Sequence, residues 1–514
     1  MFFNLLVTVL LLTRVFSLSW GNGYFFHPDE NNMAWAVERL SWPELNPGFF
    51  AYGQFPLYLV YYFYQFLLFV SGGGVFARVP FDQAVYLLRL VSALFSVLTV
   101  LFGYQLAKQL ALKNDRLAKI YSLLLVFCPG LVQATHFGTT ESILIFSAVT
   151  TAFFGFRFWH KQEKKDLFFL GLVLAIGVAS KASAALFLPV AFLLVLGRPK
   201  RVKNLFIFTL CLMLLVLLLS PYSLLDYQSF LSTFNYEARV ASGAISVFYT
   251  SQFIDSQAFV FQLLKILPWV LGLPSFVFLI FTVFKNFKNL FKKSVWSSRF
   301  LIPAITILPW LIFNGLLFAK WTRFLIPVVP FLLLIVAWQL SRLSKKMSYL
   351  LLLVLVLPGI VFSKIYFEKD IRIKTSDWLN QNIPVGSVVL SEGGNVVDLP
   401  VGGSERFETI NFDFYSLENN PEKQDELVES ISRADYVLLP SRRVFANRWQ
   451  RPETFPATFE YYQQLFSGQL GFKLVKEFKV FNWWQEILLG GDLSSEETWT
   501  VFDHPTIRLF GRID

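Results

Sequence analysis

Cysteine is nearly absent from this chain. Cys128 and Cys211 are the only two, and both lie inside apolar runs, which excludes a disulfide framework or a thiolate zinc site. Histidine is as sparse: His27, His136, His160 and His504 are scattered without metal-ligand spacing. Charged residues make up only 16% of the 514, against 55% hydrophobic, and the mean hydropathy is +0.53. A soluble protein of this length cannot bury so much apolar surface, so lipid must be part of its solvent. There is also no internal repeat and no low-complexity linker.

What is abundant is aromatic. The 59 Phe, 14 Trp and 19 Tyr suit hydrocarbon and its interfaces. The net charge of +10 does not point to nucleic acid, because Lys and Arg sit in short clusters between apolar runs. Candidate spans fall at 2–19, 85–106, 118–134, 142–158, 166–180, 182–197, 204–220, 261–284, 300–318, 324–340 and 348–365, about eleven in all. The N-terminal stretch lacks a basic n-region and a small-residue cleavage site. It reads as a retained span, with a cleaved signal peptide as the alternative.

The run Phe55–Val70 decides the topology. As a helix it reaches only about 24 Å, and Tyr58, Tyr61, Tyr62 and Tyr64 prefer the headgroup level, so it is taken as an interfacial helix lying on the membrane. The basic clusters then fall on one side: 108–119 (with Lys113), 157–165, 198–203, 285–299 (with Lys288, Lys292, Lys293 and Arg299) and 342–346. The opposite connections hold only Arg39, Arg78, Lys181, Arg239, Lys320 and Arg323. The positive-inside rule makes the first side cytoplasmic. Had Phe55–Val70 crossed, a cytoplasmic first loop would stay open. The expected protein is an α-helical polytopic membrane domain over 1–365 with a first outer loop at 20–84. A tail of mixed charge follows over 366–514. Its strand-like runs at 388–390 and 436–439 alternate with helix-like stretches at 375–382 and 421–431, which reads as an extracytoplasmic α/β domain.

Polar chemistry gathers on the outer face. Asp29 and Glu30 follow His27 and Pro28 just past the first span; they suit a divalent cation or a general base, or equally the opening turn of a helix. Glu141, where one span surfaces and the next begins, is a functional candidate by its depth, with capping by Thr139 or Thr140 the bland alternative. Lys320 and Arg323 flank Trp321 and Thr322 in a turn suited to an anionic headgroup, or to snorkelling around a Trp anchor. Lys181 is a weaker phosphate candidate. Arg14, inside the first span, should face protein or a water-filled cavity, or snorkel. Trp20, Trp35, Trp42, Tyr52 and Tyr58 crowd the first loop, as sugar-stacking faces or as an interfacial belt.

In order and sidedness these residues resemble the membrane-embedded GT-C glycosyltransferases, and more narrowly the family 39 group, related to protein O-mannosyltransferases and aminoarabinose transferases. The resemblance rests on Asp29 and Glu30; on Gln54, Pro56 and Tyr58; on the Arg89 region; on the turn 136–141; on Ser180, Lys181 and Ser183; on Arg323 to Pro327; and on the closing Thr500, Phe502, Asp503, His504 and Pro505. It implies Asp29 or Glu30 as catalytic carboxylate, Glu141 as a second acidic residue facing the same cavity, and Arg323 holding the donor phosphate. Lys320 and Lys181 are further phosphate candidates. His27, His136, Tyr58 and Trp35 are candidates for sugar or acceptor contacts. A divalent metal, Mg or Mn, on Asp29, Glu30 and Glu141 is an open expectation. Relatives carry Asp where this chain has Glu141, and Lys-Pro-Pro or His-Pro-Pro at Gln54, Phe55 and Pro56.

The expected donor is a polyprenyl-phosphate sugar, since nucleotide sugars do not cross lipid unaided. The acceptor is a glycan, lipid or protein outside the cytoplasm. The expected location is a bacterial or archaeal plasma membrane, with membrane lipids as partners, the N-terminus cytoplasmic and the tail outside. A transporter or flippase of lipid-linked glycans would need inverted repeats or broken helices with charges; neither is apparent. A non-catalytic assembly subunit is the third reading, and Asp398, Glu405 and Arg406 of the tail form no recognisable site for it.

Overall fold

Helices with long apolar faces account for the N-terminal two thirds of the chain. The computed structural model describes residues 2–74, 76–111, 115–290, 298–393, 398–401, 406–418 and 420–513. Lys113, Lys292, Lys293 and Glu405, and the side chains of Lys288 and Arg299, lie outside what it describes. The first helices are α1 (Phe2–Arg14), α2 (Pro28–Glu38), α3 (Phe55–Val70), α4 (Phe81–Ala111), α5 (Asp115–Val126), α6 (Pro129–His136), α7 (Glu141–Lys161) and α8 (Lys164–Ser180). Among the described residues, five helices are long and apolar enough to cross a membrane, or seven if each of two bent pairs counts as one span. Helix α7 is central, with 89% of its most apolar window buried; Arg201–Leu219, at 11%, lies outermost.

Three apolar runs depart from simple spans, each for a local reason. The run 2–19 is helical only to Arg14, and turns with positive φ at Gly21, Asn22 and Gly23 follow. The run 118–134 breaks between α5 and α6 with a 55° bend. Pro129 has no N–H for the Leu125 carbonyl to accept from. Arg14 fills that gap: fully buried, it donates to the carbonyls of Leu125 and Val126, so the first span's cation does face protein. The run 261–284 folds back by 119° between Gln262–Val270 and Leu273–Asn286, at Gly272 with φ +78°. Broken helices are therefore present, where the sequence reading looked for breaks that carry charges. The second break carries no ionisable side chain, and the first is satisfied by Arg14.

In the tail, β1 (Val388–Gly393), β2 (Glu408–Asp413), β3 (Tyr436–Leu439), β4 (Phe472–Phe478) and β5 (Ile507–Arg512) form one sheet in the order β2-β1-β3-β5-β4. The first three are parallel, and β5 and β4 antiparallel. The parallel half needs crossover helices, which Pro421–Arg433 supplies between β2 and β3, capped by the Asn420 side chain. Period-two alternation covers both faces. Leu390, Val437, Leu439 and Phe510 pack on one side, and Val389, Leu438 and Leu509 on the other. Between β4 and β5 the chain leaves the sheet: Leu489, Trp499, Val501 and Phe502 belong to the core of the helical part. That excursion brings the tail onto the site.

Candidate active site

Helix α2 opens at Pro28 with Asp29 and Glu30 in its first turn, where the helix dipole favours negative charge. Neighbours on a helix diverge by about 100°, and here the step sends the two carboxylates to different places. Glu30 meets Arg89 of α4 as a fork, both contacts 2.7 Å and both side chains fully buried. Its Oε1 also accepts from the Gly138 backbone N–H at 2.8 Å, an approach that needs glycine, since a Cβ there would lie 2.8 Å from the Leu88 Cβ. Arg89 gives its remaining donors to the Leu18 and Trp20 carbonyls. Glu30 was expected as a catalytic residue or metal ligand. With both oxygens accepting and no exposure, it is placed to anchor the first loop.

Asp29 turns the other way and pairs with Nη1 of Arg323, both side chains partly exposed at 22% and 29%. Arg323 also donates to the Tyr52 hydroxyl at 3.3 Å, which in turn bonds Asp29. The guanidinium lies 4.9 Å from the Trp321 ring, and its Nε–H has no hydrogen-bond partner. Lys181 donates to Glu141 at 3.2 Å and sits 5.0 Å over the Tyr52 ring. Its position follows from local chain geometry: α8 ends at Ser180, and Lys181 is extended before the chain coils again. Gly53 packs directly on this break, donating to the Ser180 carbonyl at 2.8 Å, and a Cβ there would lie 2.0 Å from the Ala179 oxygen. Thr140 stands at the start of α7 and makes no side-chain cap bond.

Asp29, Glu141 and Arg323 line one narrow cavity of about 40 Å³ with His27, Gln133, Thr139, Thr322, Thr498 and Phe502, and Lys181 reaches it through Glu141. His27 lies between the rings of Phe137 and Phe502, at 4.4 and 4.5 Å, and its Nδ1 is unpartnered. Burial lowers its pKa, so the imidazole is neutral. Burial pushes the Asp29 carboxyl up, but the neighbouring cations, Arg323 above all, outweigh it, and the group sits below its usual value. Tyr52, pushed well up by burial, stays a phenol. The site therefore alternates in sign: a carboxylate and a cation from Asp29 and Arg323, then another such pair from Glu141 and Lys181.

Other expected site residues lie elsewhere. Lys320 is buried and donates to Ser256 and the Phe318 carbonyl, both at 3.0 Å, so only Arg323 of that turn faces the carboxylates. His136 does not line the cavity. Its Nδ1 bonds the Val132 carbonyl and its Nε2 the Ser17 hydroxyl, each at 2.7 Å, while the ring stacks on Tyr366 at 3.7 Å. Trp35 is half exposed beside Phe81, and the Tyr58 hydroxyl serves Leu45 and Gln54. The expected metal ligands Asp29, Glu30 and Glu141 are each paired with a cation, and no group of three His, Cys, Asp or Glu among the described residues is placed to hold a metal.

The sequence reading did not single out Gln133, Thr498 or Glu496 as site residues, and it named Phe502 only within the closing motif. Glu496 accepts from the backbone N–H and hydroxyl of Thr322, at 3.0 and 2.7 Å, and so fixes the turn that carries Arg323. Asp503 accepts from Tyr366 at 2.6 Å and from Gln133 at 3.1 Å. The closing motif was noticed for its likeness to bacterial relatives; its role as a wall of this cavity was not visible there.

Residues 81–224 match the family described as dolichyl-phosphate-mannose-protein mannosyltransferase. That match spans less than a third of the chain. The matched stretch holds Arg89, Glu141 and Lys181 but neither Asp29 nor Arg323. Among solved structures, ArnT from Cupriavidus metallidurans is similar in its apo state (14% identity, 98% of this chain and 97% of that one, TM-score 0.47). It is similar too when bound to undecaprenyl phosphate (13% identity, 98% and 97%, TM-score 0.48). The arabinofuranosyltransferase AftD from Mycobacteria, as its R1389S mutant, matches at 14% identity over 99% of this chain and 41% of that one, TM-score 0.37. No curated protein matches the chain.

Proposed function

We propose that this protein is a membrane glycosyltransferase of the GT-C, family 39-like type, which takes a sugar from a polyprenyl phosphate and gives it to an acceptor hydroxyl outside the cytoplasm, with inversion at the sugar C1. The observation that carries the reading is the Asp29–Arg323 pair: a partly exposed carboxylate and a partly exposed guanidinium, held against each other in one cavity, which suits them as base and phosphate ligand. The donor phosphate competes for the Arg323 fork, whose Nε–H is free for it. Asp29 then loses the cation that depresses its proton affinity and becomes a stronger base. The acceptor oxygen forms its bond to C1 as the C1–O bond to phosphate breaks. The bond's electron pair leaves on the phosphate, beside Arg323 and Lys181, and the acceptor proton goes to Asp29. Neutral His27 offers its free Nδ1 to orient a sugar hydroxyl. No metal enters these steps.

The topology that serves this chemistry has eleven crossings, the N-terminus in the cytoplasm, and the first loop and tail outside. The basic clusters of the sequence support it. The acceptor is a glycan, lipid or protein, and the location a bacterial or archaeal plasma membrane. The test offers purified protein a panel of polyprenyl-phosphate sugars with membrane extract as acceptor source, and compares cellular glycans with and without the gene by mass spectrometry. Release of polyprenyl phosphate coupled to one glycan difference supports the reading; folded protein that releases none from any donor sinks it.

A further inference from the structure

A second and far larger cavity, of about 700 Å³, lies between the segment after Tyr227–Ser242 and the tail. Its size is that of a site for a small molecule or a short glycan. Its wall carries three cations, Lys265, Arg442 and Arg451, against one carboxylate, Asp255. That carboxylate is 89% exposed and pairs with Arg451 at the rim, leaving the inner cations unbalanced by the wall. Arg442 is 6% exposed. Its Nε makes no hydrogen bond, and the closest carboxylate oxygen, on Asp492, is 3.7 Å away. Lys265 gives one N–H to the Leu493 carbonyl at 3.3 Å. Trp449 adds an aromatic face and Gln450 an exposed amide.

The two cavities share a wall. Glu496 accepts from Gln252, which lines the large cavity, at 2.8 Å, and from Thr322, which lines the small one. We infer that the large cavity is the acceptor subsite, and that the acceptor is an anionic saccharide bearing carboxylate or phosphate groups. Cations confined in a cleft raise the local concentration of anions, and flat aromatic surface suits the apolar face of a sugar ring. A neutral glycan or an apolar lipid tail would give the half-buried Lys265 no counter-charge and leave Arg442 only the Asp492 carboxylate, which Arg508 shares. This inference rests on the transfer reading, since without transfer the cavity has no acceptor to hold.

The test uses full-length protein in nanodiscs of zwitterionic lipid, with calorimetry against tetragalacturonate, a heparin-derived tetrasaccharide and neutral maltotetraose. At least one anionic probe is expected to bind about tenfold or more tighter than maltotetraose, with affinity falling as salt rises. Gln450→Glu, which removes no buried contact, and the Lys265→Gln/Arg451→Gln pair should each weaken that binding about tenfold, while undecaprenyl phosphate binds all of them as it binds the unaltered protein. Equal affinity for neutral and anionic probes, failure of both anionic probes, or indifference to these substitutions overturns the inference. So does displacement of the saccharide by phosphatidylglycerol in the nanodisc, which would make the cavity a lipid headgroup site. Undecaprenyl phosphate binding is read separately: if it fails in the unaltered protein, the transfer reading falls whatever the saccharides do.

Discussion

Asp29 and Glu30 adjoin in the sequence and carry the same charge, yet their surroundings differ in what matters for chemistry. Glu30 is dry, forked to Arg89 and bonded by a backbone N–H, with both partners fully buried. Asp29 meets its arginine at the edge of a cavity, with 22% of its side chain open and Tyr52 as a further ligand. A saturated buried pair is poor at catalysis because no reactant reaches it, and breaking it leaves an uncompensated charge. A half-open pair with an unused donor can trade partners. In the proposed mechanism the first loop thus divides its two acids between holding the loop on the bundle and meeting the substrate.

Two substitutions break that comparison most sharply. Asp29→Asn keeps shape and hydrogen bonding but removes the base, so turnover should fall about 10² to 10⁴-fold, with folded yield and thermal transition near those of the unaltered protein. Normal turnover in this variant removes Asp29 from the mechanism. Arg89→Ala should act in the opposite sense. Stranding the buried Glu30 carboxylate should cost about 3–5 kcal/mol, read as loss of monodisperse protein and a lower transition temperature, and a second change of Glu30→Gln should recover part of it. If Arg89→Ala folds as well as the unaltered chain and fails only in turnover, the anchor assignment is wrong.

This division was only half legible in the sequence. Strands at 388–390 and 436–439 and helices at 375–382 and 421–431 were readable because patterning in the tail is local, and the structure has β1, β3, Ile371–Asn382 and Pro421–Arg433 there. Asp29, Glu141, Lys181 and Arg323 stood out because ionisable groups beside apolar runs are costly without a purpose, and they share one cavity or its immediate wall. Which of two adjacent acids faces that cavity depends on the rotation of α2, and no composition encodes that. Trp35 and Tyr58 look alike in sequence whether they face lipid, loop or sugar. The 119° fold at Gly272 is invisible to a hydropathy window, although Pro268, Gly272 and Pro274 were in plain view. Phe502 and Glu496 meet the site only because the tail folds back across several hundred residues.

Smaller changes sharpen the contrast between the two arginines. Arg323→Lys keeps the charge but loses the planar fork, so kcat/KM for the donor should fall about 10 to 100-fold, with stability little changed. A loss of folded protein equal to that of Arg89→Ala would mean that the outer pair, too, is structural.

The finest test is the acid limb of the pH profile. In the free enzyme, burial raises the Asp29 pKa and the nearby cations lower it further than burial raises it, so the group stays ionised to below the ordinary aspartate value of about 3.9. Once a donor phosphate takes Arg323, burial remains and the main opposing charge is spent. The pKa in the complex must then be higher. Because kcat/KM reports the free enzyme and kcat the complex, the acid limb of kcat should lie at higher pH than that of kcat/KM. Arg323→Lys should narrow the gap, since a lysine holds Asp29 less firmly before the donor arrives. Coincident limbs would mean that the donor does not draw Arg323 from Asp29, leaving the outer pair as static as the inner one.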